Sequence, residues 1–210
     1  MIEDESNEIK SIENSLVEVS NELYNKRVQV SDLLQQEIKK IFTLLSLDGS
    51  LIKFEFIKEE KLNNFGIDNL VVLYSPSSKI DLKPLAKIAS GGEKSRILLA
   101  IKSVFAKKNN LPTIIFDEID SGTSGEIAES IGFLMKEMTK KIQIISITHL
   151  AQVASKGDFH FKVIKTNNNG NSSTNIIKLL KRDRILEIAS MISGKKITNS
   201  ALNQAEELLK

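Results

Sequence analysis

Apolar residues recur every seven positions at Ile2, Ile9, Leu16, Leu23 and Val30, and Ile12, Val19 and Leu33 stand three residues after members of that series. This is an a/d heptad seam, with Glu5 and Lys26 as polar interruptions at d. Near Leu34 the seam moves by one residue to Leu34, Ile38, Ile41 and Leu45, a discontinuity that changes supercoiling locally. No glycine or proline occurs before Gly49. The pattern predicts one long helix, and a seam this narrow and sustained favours a coiled-coil arm over an amphipathic helix packed on its own domain. The strand that would partner it is not obvious in this chain.

Beyond Asp48-Gly49 the period shortens. "LIKFEFIK" (51–58) and "LVVLY" (70–74) read as two strands of a hairpin around a polar loop. "KIASGGEKSR" (87–96) then opens a helix whose expected apolar face is Ile97, Leu98, Ile101, Val104 and Phe105. "LPTIIFDEID" is a short apolar run ended by carboxylates. Ser124 is placed to cap a helix with Ile127, Ile131, Leu134 and Met138 on its buried face. "IQIISITH" (142–149) is a second continuous apolar run. Strands apolar on both faces and alternating with helices predict an α/β fold, a parallel sheet covered by helices. "FHFKVIK" and "IIKLL" flank "TNNNGNSSTN", which reads as a long, mobile hairpin loop. Two helices, from about Asp183 to Ser193 and from about Asn199, finish the chain, with Gly194 at a C′ position.

Composition narrows the function classes. The 210 residues carry a formal net charge of +2 with 27% charged residues, so no strong field argues for nucleic acid or membrane binding. Cysteine is absent, which removes disulfides and thiolate metal sites. No stretch approaches the ~20 apolar residues of a membrane span. The acidic, polar start does not resemble a secretory signal, and the expected compartment is the cytosol. Lys178, Lys181, Arg182 and Arg184 form the one dense basic group, read as a solvated face, with weak and salt-sensitive DNA binding expected.

The chemistry concentrates in four places. Ser90 and Glu93 stand in capping-box spacing, but a cap needs neither Gly91 nor Gly92. Two glycines in a first helical turn are costly, and they leave N–H groups bare for close approach by an anion such as phosphate. Asp117 and Glu118 end an apolar strand, where a carboxylate of a parallel sheet faces the ligand crevice. Asp117 suits Mg²⁺, which takes oxygen ligands, and Glu118 is then placed to polarise a water toward a phosphate. "IDSGTSG" adds a small-residue loop suited to close backbone contacts, and His149 ends the next apolar run on the same crevice.

"SGGEKSR" resembles the signature motif of ABC-type ATPases, "TIIFDE" their Walker B strand, "IDSGTSG" their D-loop region and "ITH" their switch-histidine strand. A coiled-coil arm leading into such a lobe is similar to the SMC branch. Within it, "LKPLAKIASGGEKSRILLAIK", "IIFDEIDSGTSG" and "ITHLAQVAS" together resemble the C-terminal part of the RecN family of bacterial DNA-repair proteins. The resemblance implies a coiled-coil arm over 1–47 and the C-terminal half of an ABC/SMC-type P-loop ATPase head over 48–210. It implies ATP and Mg²⁺ as ligands. Ser90, Gly91, Gly92 and Glu93 would face the γ-phosphate of a nucleotide held mainly by a second head. Asp117 would serve the metal, Glu118 the attacking water and His149 the γ-phosphate on its own side. The expected partners are the missing N-terminal half of the head and arm, a second head and DNA, with work at the nucleoid and none at a membrane. The phosphate-cradling G-x-x-x-x-G-K-[ST] is absent, so ATPase activity is expected only when that N-terminal half is supplied. A non-catalytic assembly module docking to a partner chain, or a head fragment of another SMC-like ATPase, are the alternatives.

Overall fold

The computed structural model describes residues 2–87, 91–109, 111–168, 171–194 and 196–210. The chain forms two compact units, Met1–Ser90 and Gly91–Lys210. The first contains α1 (Ile2–Leu44), the hairpin strands β1 (Leu51–Asn63) and β2 (Gly66–Ser75), and the two-residue β3 (Lys83–Pro84) beside β2.

The long helix exists, and its seam divides where the sequence breaks register. Ile9, Ile12, Leu16, Val19, Leu23, Val30 and Leu33 all lie exposed, whereas Ile38, Ile41 and Leu45 are buried. The buried face begins further up the helix, with Ser20, Tyr24, Arg27 and Ser31 at helical spacing, and it rests on the hairpin. Arg27 Nη1 donates to both carboxylate oxygens of Asp68 at 2.9 and 3.0 Å, and Tyr24 meets Phe56 edge to face. Lys58 stands 4.5 Å over the Tyr24 ring and donates to Asn21. At the base Phe42 packs on Tyr74, whose hydroxyl bonds Ser50 at 2.9 Å. The unit boundary therefore groups the root of α1 with its hairpin, while the sequence boundary between 47 and 48 follows the helix end.

The hairpin outruns its apolar core. The expected polar loop between 58 and 70 is instead strand, irregular between the Lys58↔Asp68 and Asn63↔Gly66 pairs and closed by a tight turn in which Asn63 Oδ1 accepts from the Phe65 amide and Gly66 takes φ 121°. Backbone pairing needs no apolar side chain once the turn is made.

The second unit runs α2 (Gly91–Asn109), β4 (Thr113–Asp117), α3 (Gly125–Met138), β5 (Gln143–Ile147), the short α4 (Ala151–Ala154), β6 (Phe161–Asn168), β7 (Asn171–Lys178), α5 (Lys181–Ser193) and α6 (Asn199–Leu208). β4 and β5 pair in parallel from Thr113↔Gln143 to Asp117↔Ile147. Ile114, Phe116 and Ile144 turn toward the protein, with Phe116 fully buried. The other face is bare: Ile115 is 61%, Ile145 45% and Ile147 52% exposed. Helical cover on both faces, expected from the apolar runs, is found on one face of this pair.

Four local expectations also change. The buried side of α2 is Ile97, Leu99, Ala100, Ser103, Val104 and Ala106, while Phe105 is exposed, because the packed stripe is centred on small residues. Ser124 occupies the N-cap of α3 with extended backbone but makes no side-chain cap bond. The "TNNNGNSSTN" stretch is largely strand: the β6–β7 ladder reaches Asn168↔Asn171, with Thr166 and Ser173 hydroxyls paired at 2.6 Å. Polar side chains on an exposed two-stranded ribbon leave its backbone ladder intact. α4 was not foreseen, since four residues carry no helical period. Its Ala151 joins Ile188, Ala189, Ala201 and Ala205 in a core between α4, α5 and α6. Gly194 ends α5 at φ 75°, its amide bonded to the Ser190 carbonyl at 2.8 Å, and the Thr198 side chain caps α6.

Candidate active site

The two parallel strands deliver the acidic pair and the histidine to one edge. Asp117 is the last residue of β4, level with Ile147 at the end of β5, and His149 follows two residues later. Asp117, Glu118 and His149 are all exposed. Glu118 holds φ 46°, a left-handed backbone that a non-glycine residue adopts at a cost of roughly 1–3 kcal/mol. Its amide donates to the Ile147 carbonyl at 3.0 Å, which extends the parallel pairing one residue past the strand. The backbone thus leaves the strand path at Glu118.

The following loop is wound tightly. The Ser121 amide donates to the Glu118 carbonyl at 3.0 Å, and the Thr123 amide and hydroxyl donate to the Asp120 carbonyl at 3.1 and 2.6 Å. Gly122, at φ 75°, brings its carbonyl against the first turn of α2. A Cβ on Gly92 would lie 2.9 Å from that oxygen, so a side chain there has no room. Gly91 differs: nothing lies within 4 Å of its Cβ position, and the residue is exposed. One of the paired glycines is therefore demanded by internal packing, and the other leaves open space at the helix start. Glu93 is half-buried in that first turn. Ser90, read as the cap and phosphate contact, lies outside the described residues.

The donor set bears on a metal. Among the described residues no three His, Asp or Glu side chains converge into a ready cage. Asp117 offers one exposed carboxylate at a strand end, which fits Mg²⁺, an ion usually held by one or two carboxylates together with waters and phosphate oxygens.

Two groups escaped the sequence reading. Asp120, inside a loop read only as small residues suited to close backbone contacts, is 1% exposed and accepts a hydrogen bond from the Thr148 hydroxyl. In the basic cluster, Lys178, Lys181 and Arg182 are exposed, as a solvated face requires, while Arg184 is half-buried beside His160. Lys178, Lys181 and Arg184 line a cavity of about 600 Å³ with Phe159 and His160, and Lys178 Nζ stands 4.2 Å over the Phe159 ring. Arg184 donates to the carbonyls of Ser155 and Gly157. His160 is held below its ordinary pKa, first by burial and then by the neighbouring Arg184 and Lys162 charges, against the opposing pull of Glu187. Only its partners in space, set by the fold, could have revealed this.

No family model matches the chain. Among curated proteins it is 34% identical over 205 residues to the DNA repair protein RecN of Vibrio cholerae, covering 97% of this chain and 37% of that protein. It is 35% identical over 208 residues to RecN of Rickettsia felis, covering 97% and 38%, and 40% identical over 150 residues to RecN of Bacillus subtilis, covering 71% and 26%. The chain thus spans little more than a third of the relatives it matches along most of its length. Solved structures agree on the fold. A Smc head domain with an extended coiled coil, bound to the C-terminal domain of ScpA and derived from Pyrococcus furiosus, superposes with TM-score 0.59 at 26% identity, over 88% of this chain and 44% of that one. A Smc head domain with a coiled coil and joint from Pyrococcus yayanosii gives TM-score 0.63 at 23% identity, over 99% and 35%. No described helix is long and apolar enough to cross a membrane.

Proposed function

We propose that this chain, which resembles DNA repair protein RecN along nearly its whole length and superposes on part of an SMC head with its coiled coil, is the signature-bearing lobe of a DNA-repair ATPase head. The observation that carries the reading is the placement of Asp117, Glu118 and His149 at the carboxyl ends of β4 and β5, beside a loop packed on the start of α2. In this reading Asp117 holds Mg²⁺, which neutralises phosphate charge when bound. Glu118 accepts a proton from the attacking water, and its pinned, strained turn fixes the direction of that acceptance. His149 donates to the γ-phosphate. Ser90, Gly91, Gly92 and Glu93 present the N–H-rich start of α2 to the nucleotide of a second head, where a helix N-terminus favours an anion.

The main phosphate grip comes from elsewhere, since the sequence contains no phosphate-cradling G-x-x-x-x-G-K-[ST]. A parallel strand pair with Ile115, Ile145 and Ile147 uncovered supports a further segment completing the sheet, because parallel sheets are stable with both faces covered. That segment is the N-terminal half of the head. DNA is the substrate of the completed machine in the cytoplasm, and the isolated lobe binds it weakly and with strong salt dependence.

The test is ATP turnover with and without the N-terminal half. The 210-residue chain alone is expected to hydrolyse ATP negligibly. Once completed, Glu118→Gln should keep ATP binding and lower turnover about 10²–10⁴-fold. Robust turnover by the lobe alone, or turnover of the completed head indifferent to Glu118→Gln, would refute the reading.

A further inference from the structure

We infer that Asp120 and Thr148 form a clasp that fixes His149 relative to Glu118, making Asp120 a positioning residue for hydrolysis; this rests on the ATPase reading above. A carboxylate is rarely sealed from water without a cation or several donors. Asp120 is sealed, yet among the described residues one of its oxygens takes the Thr148 hydroxyl and the other has no partner. Such a buried acceptor costs stability in a loop where a smaller residue would fit without that loss.

What the bond joins gives it a purpose. Asp120 belongs to the loop that carries Glu118, and its own carbonyl anchors Thr123 by two hydrogen bonds. Thr148 immediately precedes His149, and its hydroxyl oxygen also accepts from the Leu150 amide at 2.9 Å. His149 is therefore bracketed by a residue tied to the acidic loop and a residue tied to that same hydroxyl. With Glu118 N–H on the Ile147 carbonyl, the two strand ends are laced together twice, once by backbone and once by side chains. The backbone bond sets strand register. The side-chain bond sets where the histidine starts. The same loop touches α2 at Gly92, so a displacement of the helix start would reach His149 through Gly122, Asp120 and Thr148.

The experiment compares Thr148→Val, Thr148→Ser, Asp120→Asn and Asp120→Ala. In the 210-residue chain, the amide signals of His149 and Leu150 are followed by NMR hydrogen exchange, beside thermal melts. Thr148→Val should melt cooperatively and lose Leu150 protection, while Thr148→Ser should retain it. In the complete protein, Thr148→Val and Asp120→Ala should lower kcat roughly 10–100-fold with little change in KM for ATP, as expected of misplaced reacting groups. Thr148→Ser and Asp120→Asn, which each preserve a hydroxyl–oxygen bond, should restore most of it. Unchanged His149 and Leu150 exchange in Asp120→Ala would overturn the clasp. Altered exchange with unchanged turnover, or loss of turnover that Thr148→Ser does not rescue, would overturn its positioning role. A complete protein whose turnover ignores Glu118→Gln would fail the ATPase reading instead, and the amide exchange would still decide the clasp.

Discussion

A Cβ built on Gly92 lies 2.9 Å from the carbonyl oxygen of Gly122, whereas one built on Gly91 meets nothing within 4 Å. Adjacent glycines thus differ in cause. Gly92→Ala must push back a backbone atom and is expected to lose stability in the range of an overpacked core, about 1–3 kcal/mol. Gly91→Ala should fold at least as well, since alanine is favoured over glycine within a helix by ~0.5–1 kcal/mol. Thermal melts of the two variants check this. If Gly91→Ala also loses ATP-dependent engagement in the completed head, the open space at that position serves a visitor.

Ser90 carries the complementary test. As a helix cap alone it would tolerate aspartate, which caps as well as serine. As a phosphate contact it would not: two like unit charges ~4 Å apart at an effective dielectric near 20 oppose each other by roughly 4 kcal/mol. Ser90→Asp is expected to fold normally and fail in ATP-dependent dimerisation. Unchanged dimerisation would return this stretch to an ordinary capping box.

His160 predicts a pH dependence of stability. Its folded pKa lies below the ordinary value near 6.5, chiefly through burial. The unfolded chain therefore takes up the proton first as pH falls. The stability from this group is complete above about pH 6.5 and declines as pH drops from there through the folded value. Urea midpoints measured downward from pH 7.5 should decrease before the ordinary carboxylate range is reached. His160→Gln should flatten that slope.

The pairing of Arg27 with Asp68 predicts how firmly the arm is rooted. The Asp68 carboxylate is 1% exposed and receives both bonds from Arg27. Arg27→Ala leaves that carboxylate buried and unpaired. The loss is bounded by the roughly 3–5 kcal/mol of breaking a buried pair, and is smaller because water reaches the Arg27 side. Replacing both residues, Arg27→Met with Asp68→Leu, should recover most of it. Chemical unfolding followed at Tyr24 and Tyr74 would report both outcomes.

Much of this was legible from the order of residues, and the exceptions have physical causes. The long helix, the hairpin, the parallel strands and the acidic strand end all follow from periodicities of 3.5 and 2 and from apolar runs. The register change near Leu34 was visible, but its meaning was not: it marks where α1 exchanges an exposed seam for a packed one. The polar strand residues at 59–63, 166–168 and 171–175 were unreadable because backbone hydrogen bonding leaves no mark on side-chain polarity. Asp120 was hidden for the opposite reason. An aspartate in a glycine- and serine-rich loop looks solvated, and only its Thr148 partner, brought near by parallel pairing, explains its burial.

The packing of α1 on its hairpin has a mechanical consequence. At 1.5 Å per residue its 43 residues measure about 65 Å. A rod hinged at Leu44 would swing its far end by roughly 6 Å for a 5° tilt. The hairpin splints the rod as far as Ser20 and Asn21, however, leaving only about 27 Å of unsupported length and a swing of roughly 2 Å for the same tilt. Bending load then concentrates just above the splint, at Ser11–Val17, where Ser15 and Asn21 side chains already bond the Ser11 and Val17 carbonyls. Torque applied at the hairpin would be passed to the arm as rigid rotation, and compliance would lie in the unsupported part of the shaft above Ser20.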